Sequence, residues 1–267
     1  MLPTSLREGA LSELGRLTLS AFAGWWRIIH LGILILALVL SPSIYRRANR
    51  SALARHVYQS TMPNLLWFAV LSALLSLVLI RIVVVTALSY GLSQYALQMV
   101  VRVLVLELIP LTTALFVALR CTIPDGAEIA AMRSRGQFES PKIQGVDALR
   151  HEVLPRVVAG VFAVLTLAAV SCVLTLVLAY LSVYGFTRWG FAGYTHTVGQ
   201  IFDAATTTIF ALKIFFLSLA VSLIPVASVL YDSALARSRT SVELRGLVRM
   251  FLVILVVEAA SLVGNYY

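Results

Sequence analysis

Charge and cysteine are both scarce in this sequence. Of its 267 residues, 12% are charged and 60% are hydrophobic, whereas soluble domains carry about a quarter charged residues. The two cysteines, Cys121 and Cys172, lie at or inside apolar segments and form neither a disulfide framework nor a metal-binding spacing. The shortage of charge, with a mean hydropathy of +0.92, excludes a soluble globular protein and indicates apolar surface that faces lipid as well as a core.

The sequence also lacks the motifs of catalysis and of nucleic-acid binding. It contains no Gly-Lys dipeptide, which excludes a P-loop, and no His-Glu-x-x-His zinc motif. Although the net charge is +9, the basic residues lie between apolar runs, as in membrane proteins, rather than in a patch for nucleic acid. We therefore expect no catalytic residue, metal or cofactor in this chain, so that any ATP is bound by a partner.

Five apolar runs are long enough to cross a membrane, which takes roughly 20 residues in a helix. They are residues 65–89, 98–119, 157–183, 204–230 and 247–263. The connection 89–97 carries no charge, 120–156 carries six basic and five acidic residues, and 185–200 carries only Arg188. Because basic loops stay in the cytoplasm, we predict that 120–156 is a cytoplasmic loop and that the C-terminus is periplasmic.

The first 44 residues fit two interpretations. A short apolar run, 31–44, has arginines on both sides, and Leu11, Leu14, Phe22 and Trp25 lie near one face of a helix. Such an amphipathic helix lies in the membrane interface, here with a cytoplasmic N-terminus, and this is the interpretation we favour. The alternative is a sixth span, which would place a strongly basic linker outside the cytoplasm.

Five ionisable residues fall within or near the ends of the apolar runs. They are Arg81, Arg102, Glu107, Lys213 and Glu258. A charge at the centre of a membrane helix costs about 2.5–3.5 kcal/mol, so such residues pair, line a cavity or extend to the interface. We expect Arg102 and Glu258 to extend to the interface. Glu107, which Pro110 follows, is expected to face a polar interior and to pair with Arg81, either for transport or only for helix packing.

Four short motifs occur in order around the predicted cytoplasmic loop. They are Glu-Leu-Ile-Pro-Leu-Thr-Thr-Ala-Leu at 107–115, Ala-Glu-Ile-Ala-Ala-Met at 127–132, Gly-Val-Asp at 145–147 and Pro-Arg-Val-Val-Ala-Gly at 155–160. Together they resemble the MlaE-type (MlaE/YrbE) ABC-transporter permeases of MCE lipid-transport systems. The chain looks like a divergent member of that family, because Ile109 and Leu119 stand where the family pattern has glycine.

The resemblance implies an all-α integral membrane fold in one permease domain, residues 1–267. This domain would consist of an N-terminal interfacial helix within 1–44, spans 1 and 2 within 65–119, a coupling helix in the loop 120–156, and spans 3 to 5 within 157–267. It also implies a permease of the bacterial inner membrane that is not an enzyme. Two copies would move phospholipids or related lipids between that membrane and a periplasmic MCE-domain protein, with an ABC ATPase subunit as a further partner.

Two sets of site residues follow from the resemblance. The lipid pocket is expected to be lined by Leu79, Thr86, Tyr90, Glu107 and Leu108. The coupling helix, at about 128–150, is expected to bind the ATPase and to transmit its motion into spans 2 and 3. The residues of that helix expected to contact the ATPase are Glu128, Met132, Arg133, Gln137 and Phe138.

The residues alone are compatible with two other functions. One is a secondary transporter or channel without an ATPase, in which Glu107 and Lys213 would be ion or proton sites. The other is a membrane scaffold that anchors partners through the loop 120–156.

Overall fold

The computed structural model describes residues 24–38, 47–136, 152–232 and 239–266, which fold into a bundle of long helices. The α-helices are α1 Gly24–Leu38, α2 Arg47–Ser89, α3 Ser93–Val100, α4 Ile109–Val117, α5 Ile123–Ser134, α6 Leu154–Tyr184, α7 Phe191–Ile201, α8 Ala204–Asp232 and α9 Arg239–Tyr266. Two π-helical segments, Val101–Leu108 and Ala118–Thr122, join α3, α4 and α5 into one continuous run.

Five stretches of the described residues are long and apolar enough to cross a membrane. They are span 1 (Leu53–Ser89), span 2 (Tyr95–Ser134), span 3 (Leu154–Tyr184), span 4 (Ala204–Tyr231) and span 5 (Leu244–Asn265). The predicted all-α fold with five spans is therefore confirmed. Residues 185–203 connect spans 3 and 4 on one side of the bundle, here named the hairpin side. Helix α5, here named the elbow helix, ends on the opposite side, named the elbow side.

Spans 1 and 2 are longer than predicted. Helix α2 begins at Arg47 rather than near residue 65, and the run that forms span 2 ends at Ser134 rather than at residue 119. The 37 residues of span 1 extend about 55 Å, whereas the hydrocarbon core is about 30 Å thick. Hydropathy predicted only the part of each helix that lies in the hydrocarbon core, whereas each helix continues beyond it into the polar headgroup layer. The first part of the predicted loop 120–156 is therefore helical.

The described part of the N-terminal region is α1. Its 15 residues extend about 22 Å, less than the thickness of the hydrocarbon core. Ile28, Leu31 and Ile35 are buried against the bundle, whereas Trp26 and Ile33 are exposed. Apart from Arg27 and His30, the exposed side of α1 is thus apolar and suited to lipid. Of the amphipathic pattern predicted from Leu11 to Trp25, only Trp25 lies within the described residues, where it is half-buried.

Two large hydrophobic cores hold the spans together, and a small third cluster joins Leu38 of α1 to Leu154 of span 3. The larger core joins α1 to all five spans, with Leu31, Leu167 and Leu217 among its fully buried side chains. The smaller core lies toward the hairpin side and joins spans 1 to 3 with α7. A Cβ atom at Gly160 would lie 2.7 Å from Oγ of Ser222, so spans 3 and 4 approach more closely than a larger residue allows. Small residues at such crossings let membrane helices pack tightly.

Candidate functional site

A buried lysine joins three of the spans. Nζ of Lys213 on span 4 donates to Oε2 of Glu107 on span 2 and, at 2.8 Å, to Oε1 of Glu258 on span 5. The side chain of Lys213 is 1% exposed, and those of the two glutamates are 13% and 15% exposed. Because an isolated charge is very costly away from water, these residues act as one unit, here named the ionic cluster.

The ammonium group has a third acceptor, the backbone carbonyl of Leu106, at 3.1 Å from Nζ. In an α-helix this carbonyl accepts the N–H of the residue four positions later. That residue is Pro110, which has no N–H. Pro110 therefore cannot supply the α-helical hydrogen bond to the carbonyl of Leu106, which accepts from Lys213, so that Lys213 uses all three of its donors.

The backbone that carries Glu107 is a π-helix, Val101–Leu108. At its end the N–H of Ile109 bonds to the carbonyl of Leu104, five residues back instead of four. Wider turns of this kind are rare and occur frequently at functional sites. The π-helix and Pro110 together let span 2 present a carboxylate and an open carbonyl to the same ammonium group.

The ionic cluster holds two carboxylates for one ammonium group. Oε1 of Glu107 and Oε2 of Glu258 are buried and have no hydrogen-bond partner among the described residues. Arg102 lies about one π-helical turn from Glu107, toward the hairpin side. A buried acceptor without a donor is costly. The cluster can therefore accept further hydrogen bonds from a donor group.

All three members of the ionic cluster were recognised in the sequence, but their partners were not. Arg81, the expected partner of Glu107, is exposed and forms no ion pair with the described residues. The structure replaces the predicted Arg81–Glu107 pair by Lys213–Glu107. Glu258 was expected to extend to the interface and instead turns inward to Lys213. The missed signal is Pro110, because the carbonyl that it frees inside a span needs a donor.

The predicted lipid-binding residues occupy the half of spans 1 and 2 nearer the hairpin side. Leu79 and Leu108 pack against the smaller core, Thr86 is exposed, and Tyr90 is 77% exposed just beyond the end of α2. Glu107 is the member that belongs to the ionic cluster. Lipid binding by this set stays a prediction.

An open groove of about 660 Å³ follows the same half of span 4. Its wall is mostly apolar, with two hydroxyl groups. It is lined by Phe202, Ala204, Thr207, Thr208, Ala211, Leu212 and Phe215. Leu212 directly precedes Lys213, so one helix carries both the groove and the central residue of the ionic cluster.

A buried arginine attaches the elbow helix to span 3. Arg156 is 5% exposed and pairs with Glu128 at 3.3 Å and with Glu152 at 3.6 Å. Its Nη1 lies 3.8 Å from Sδ of Met132. Glu128 and Met132, two of the residues predicted to contact the ATPase, therefore also hold the elbow helix to the first turn of span 3.

A second arginine attaches the elbow helix to span 4. Nη1 of Arg133 donates to the carbonyl of Val229 at 3.2 Å and to that of Leu230. Both carbonyls belong to the last described turn of α8. We expected the elbow to act on spans 2 and 3, and the structure adds span 4. The other two predicted contacts, Gln137 and Phe138, lie outside the described residues.

Comparison with known proteins gives one family. The family model described as Permease MlaE matches residues 53–263. No curated protein matches the chain. The matched region begins at span 1 and ends within span 5, so it includes the ionic cluster and the elbow helix.

Proposed function

This chain belongs to the MlaE permease family, whose members are membrane subunits of lipid-transport ABC systems, and on that premise we propose its substrate, partners and mechanism. The chain moves phospholipids or related lipids between the inner membrane and a periplasmic MCE-domain protein. Two copies form the membrane unit, and a separate ABC ATPase subunit binds and hydrolyses ATP. As a transporter subunit the chain is not itself an enzyme.

One observation supports this function above others, namely the mechanical connection between the elbow helix and the ionic cluster. The helical run from Ser93 to Ser134 carries Glu107 in its first half and the elbow helix at its end. Arg133 ties the elbow helix to span 4, and span 4 carries Lys213. A force applied to the elbow helix therefore reaches both partners of the Glu107–Lys213 pair.

In the proposed mechanism, closure of the ATPase displaces the elbow helix. Span 4 is pulled through Arg133, and Lys213 shifts relative to Glu107 and Glu258. A buried ion pair is stable only when its partners are in contact, so the cluster moves between discrete arrangements rather than deforming gradually. Each arrangement corresponds to one state of the transport path.

The lipid lies along the hairpin half of the bundle. Its acyl chains occupy the groove of span 4, and the apolar side chains of Leu79 and Leu108 lie on the same hairpin half of spans 1 and 2. Its headgroup donates hydrogen bonds to the spare oxygens of Glu107 and Glu258, which have no other donor among the described residues. This placement makes Glu107 the boundary between the headgroup and the acyl chains.

The elbow side is the cytoplasmic side in this proposal. The basic residues of 120–156 and of 231–250 then lie in the cytoplasm, as the positive-inside pattern favours. The hairpin side, with only Arg188 between residues 185 and 200, is periplasmic. The N-terminus is then cytoplasmic and the C-terminus periplasmic.

Purification of the tagged chain from its native membrane tests the proposal. Mass spectrometry of the purified material should identify an ABC ATPase, an MCE-domain protein and bound phospholipid. The isolated complex should transfer labelled phospholipid between liposomes and the MCE-domain protein when ATP is added. If no nucleotide-binding chain co-purified and no lipid was retained, the proposed function would be wrong.

A further inference from the structure

Three aromatic side chains protrude from the connection between spans 3 and 4. Phe186 is 93% exposed, Trp189 is 97% exposed and Phe191 is 59% exposed. They lie at the end of span 3, in a 3₁₀ turn (Arg188–Gly190) and at the start of α7. These three residues are here named the aromatic tip. Exposed aromatic side chains that cluster on a protein surface indicate that this surface binds a partner.

The aromatic tip stands on a rigid base of three tyrosines. The rings of Tyr180 and Tyr194 are 5.2 Å apart, and those of Tyr180 and Tyr184 are 5.7 Å apart. The hydroxyl of Tyr180 donates to the carbonyl of Thr187 at 2.5 Å. Gly190 lies directly on the ring of Tyr184, at a distance that excludes a Cβ atom. The segment that carries Trp189 is therefore held in one position.

The depth of the aromatic tip follows from the length of span 3. Its 31 residues extend about 46 Å, which exceeds the hydrocarbon core of about 30 Å and reaches through both headgroup layers, a total of about 40–45 Å. With its first turn in the headgroup layer of the elbow side, span 3 therefore ends in or just beyond the headgroup layer of the hairpin side. The hydroxyl of Tyr194 donates to the carbonyl of Leu176 at 2.8 Å, so α7 lies back against the last turns of span 3.

The exposed surface of α7 differs from the aromatic tip. It consists of polar and small residues, with His196 and Gln200 in contact with each other at 3.1 Å. One face of α7 thus packs on the smaller core through Tyr194 and Ile201, and the opposite face suits water. Apart from Phe191 at its start, α7 therefore presents a polar surface, and the exposed aromatic groups are confined to the aromatic tip.

We propose that the aromatic tip inserts into the headgroup layer of the bilayer on the hairpin side and anchors the ends of spans 3 and 4 there. The partner is the lipid interface itself rather than another protein. Tryptophan and tyrosine concentrate at this depth in membrane proteins because their rings are apolar and their edges are polar. Arg188, next to Trp189, is positioned to meet lipid phosphate while its stem stays with the aromatic rings.

Fluorescence of Trp189 tests this proposal. The chain has four tryptophans, so a variant with Trp25→Phe, Trp26→Phe and Trp67→Phe keeps Trp189 alone. In liposomes without quencher, the emission of Trp189 should be blue-shifted. Lipid brominated near the headgroup should then quench most of this emission. Lipid brominated near the chain ends should quench it much less, and aqueous iodide should quench it little.

A matched control places the only tryptophan at residue 78, because Val78 is 59% exposed and lies near the middle of the apolar run 65–89. With Val78→Trp in a variant whose four native tryptophans are phenylalanine, the deep bromine label should quench more than the shallow one. If the triple variant fails to fold, the difference between wild-type emission and that of Trp189→Phe gives the signal of Trp189. Red-shifted emission that iodide quenches and brominated lipid does not would overturn the proposal. Quenching of Trp189 by lipid would leave the proposed transport function untested, so the two can fail separately.

Discussion

Removal of the charge of Lys213 is the most direct perturbation of the ionic cluster. In Lys213→Met the side-chain volume is nearly kept, but Glu107 and Glu258 lose their common donor. Nζ of Lys213 lies 2.8 Å from Oε1 of Glu258. At an effective dielectric constant of about 20, one ion pair at this distance contributes about 6 kcal/mol before the cost of desolvation is subtracted. Breaking a buried pair by removing one partner costs about 3–5 kcal/mol in net stability.

We therefore expect Lys213→Met to lower the free energy of unfolding by about 3–5 kcal/mol, which changes the unfolding equilibrium roughly 150- to 5,000-fold. Unfolding by SDS in mixed micelles, followed by circular dichroism, measures this difference. Arg81→Met is the matched control, since Arg81 is exposed and unpaired with the described residues, and its effect should stay within about 0.5 kcal/mol.

A second variant separates lost charge from lost packing. The triple change Lys213→Met, Glu107→Gln and Glu258→Gln removes every charge of the cluster while keeping its shape. Neutral replacement of a complete buried ion pair is often nearly neutral in stability, so the triple variant should regain most of the loss. If Lys213→Met were as stable as the wild type, or the triple variant as unstable as the single one, the reasoning about the cluster would be refuted.

Three further predictions concern the elbow, the helix crossing and the hairpin. Arg133→Gln should lower the amount of lipid transferred per ATP hydrolysed in the purified complex, with partial recovery in Arg133→Lys; unchanged stoichiometry would contradict transmission through span 4. Gly160→Ala should destabilise the protein by about 1–3 kcal/mol in the same SDS assay, because its Cβ would meet Ser222 at 2.7 Å; Gly199→Ala, whose Cβ has open space, is the control. Burial raises the pKa of Tyr194 to about 12 from its ordinary value of 10. Between these two pH values the folded state keeps the proton that the unfolded state loses. The free energy that holds α7 against span 3 should therefore fall as the pH rises from 10 to 12. Tyrosinate absorbance should show one late-titrating group that Tyr194→Phe lacks; titration of every tyrosine near pH 10 would contradict this.

The number and order of the spans could be predicted because hydropathy is a local property of the chain. A run of roughly 20 apolar residues is stable in the hydrocarbon core whatever its neighbours are. The ends of the helices could not be predicted in the same way. Helix α2 continues through Arg55 and His56, since a polar sequence remains helical where neighbouring helices pack against it.

The contacts of the elbow helix could not be predicted from the sequence either. Charge and apolar residues in 120–156 predicted a segment that docks on a partner. The sequence did not predict that Arg133 reaches the last carbonyls of α8, nearly a hundred residues later, or that Arg156 would be buried between two glutamates. Both contacts depend on how the elbow helix crosses spans 3 and 4.

The ionic cluster shows most clearly which features follow from the sequence and which follow from the packing of the helices. Hydropathy is enough to place Glu107, Lys213 and Glu258 in apolar spans, where the cost of an unpaired charge makes partners necessary. Which partners they have depends on the packing of the helices. Counting residues estimates the depth of a side chain, and depth alone made Arg81 a plausible partner for Glu107. Pairing also requires that two helices turn the right faces toward each other, and that rotation is set by packing, by the π-helix and by Pro110.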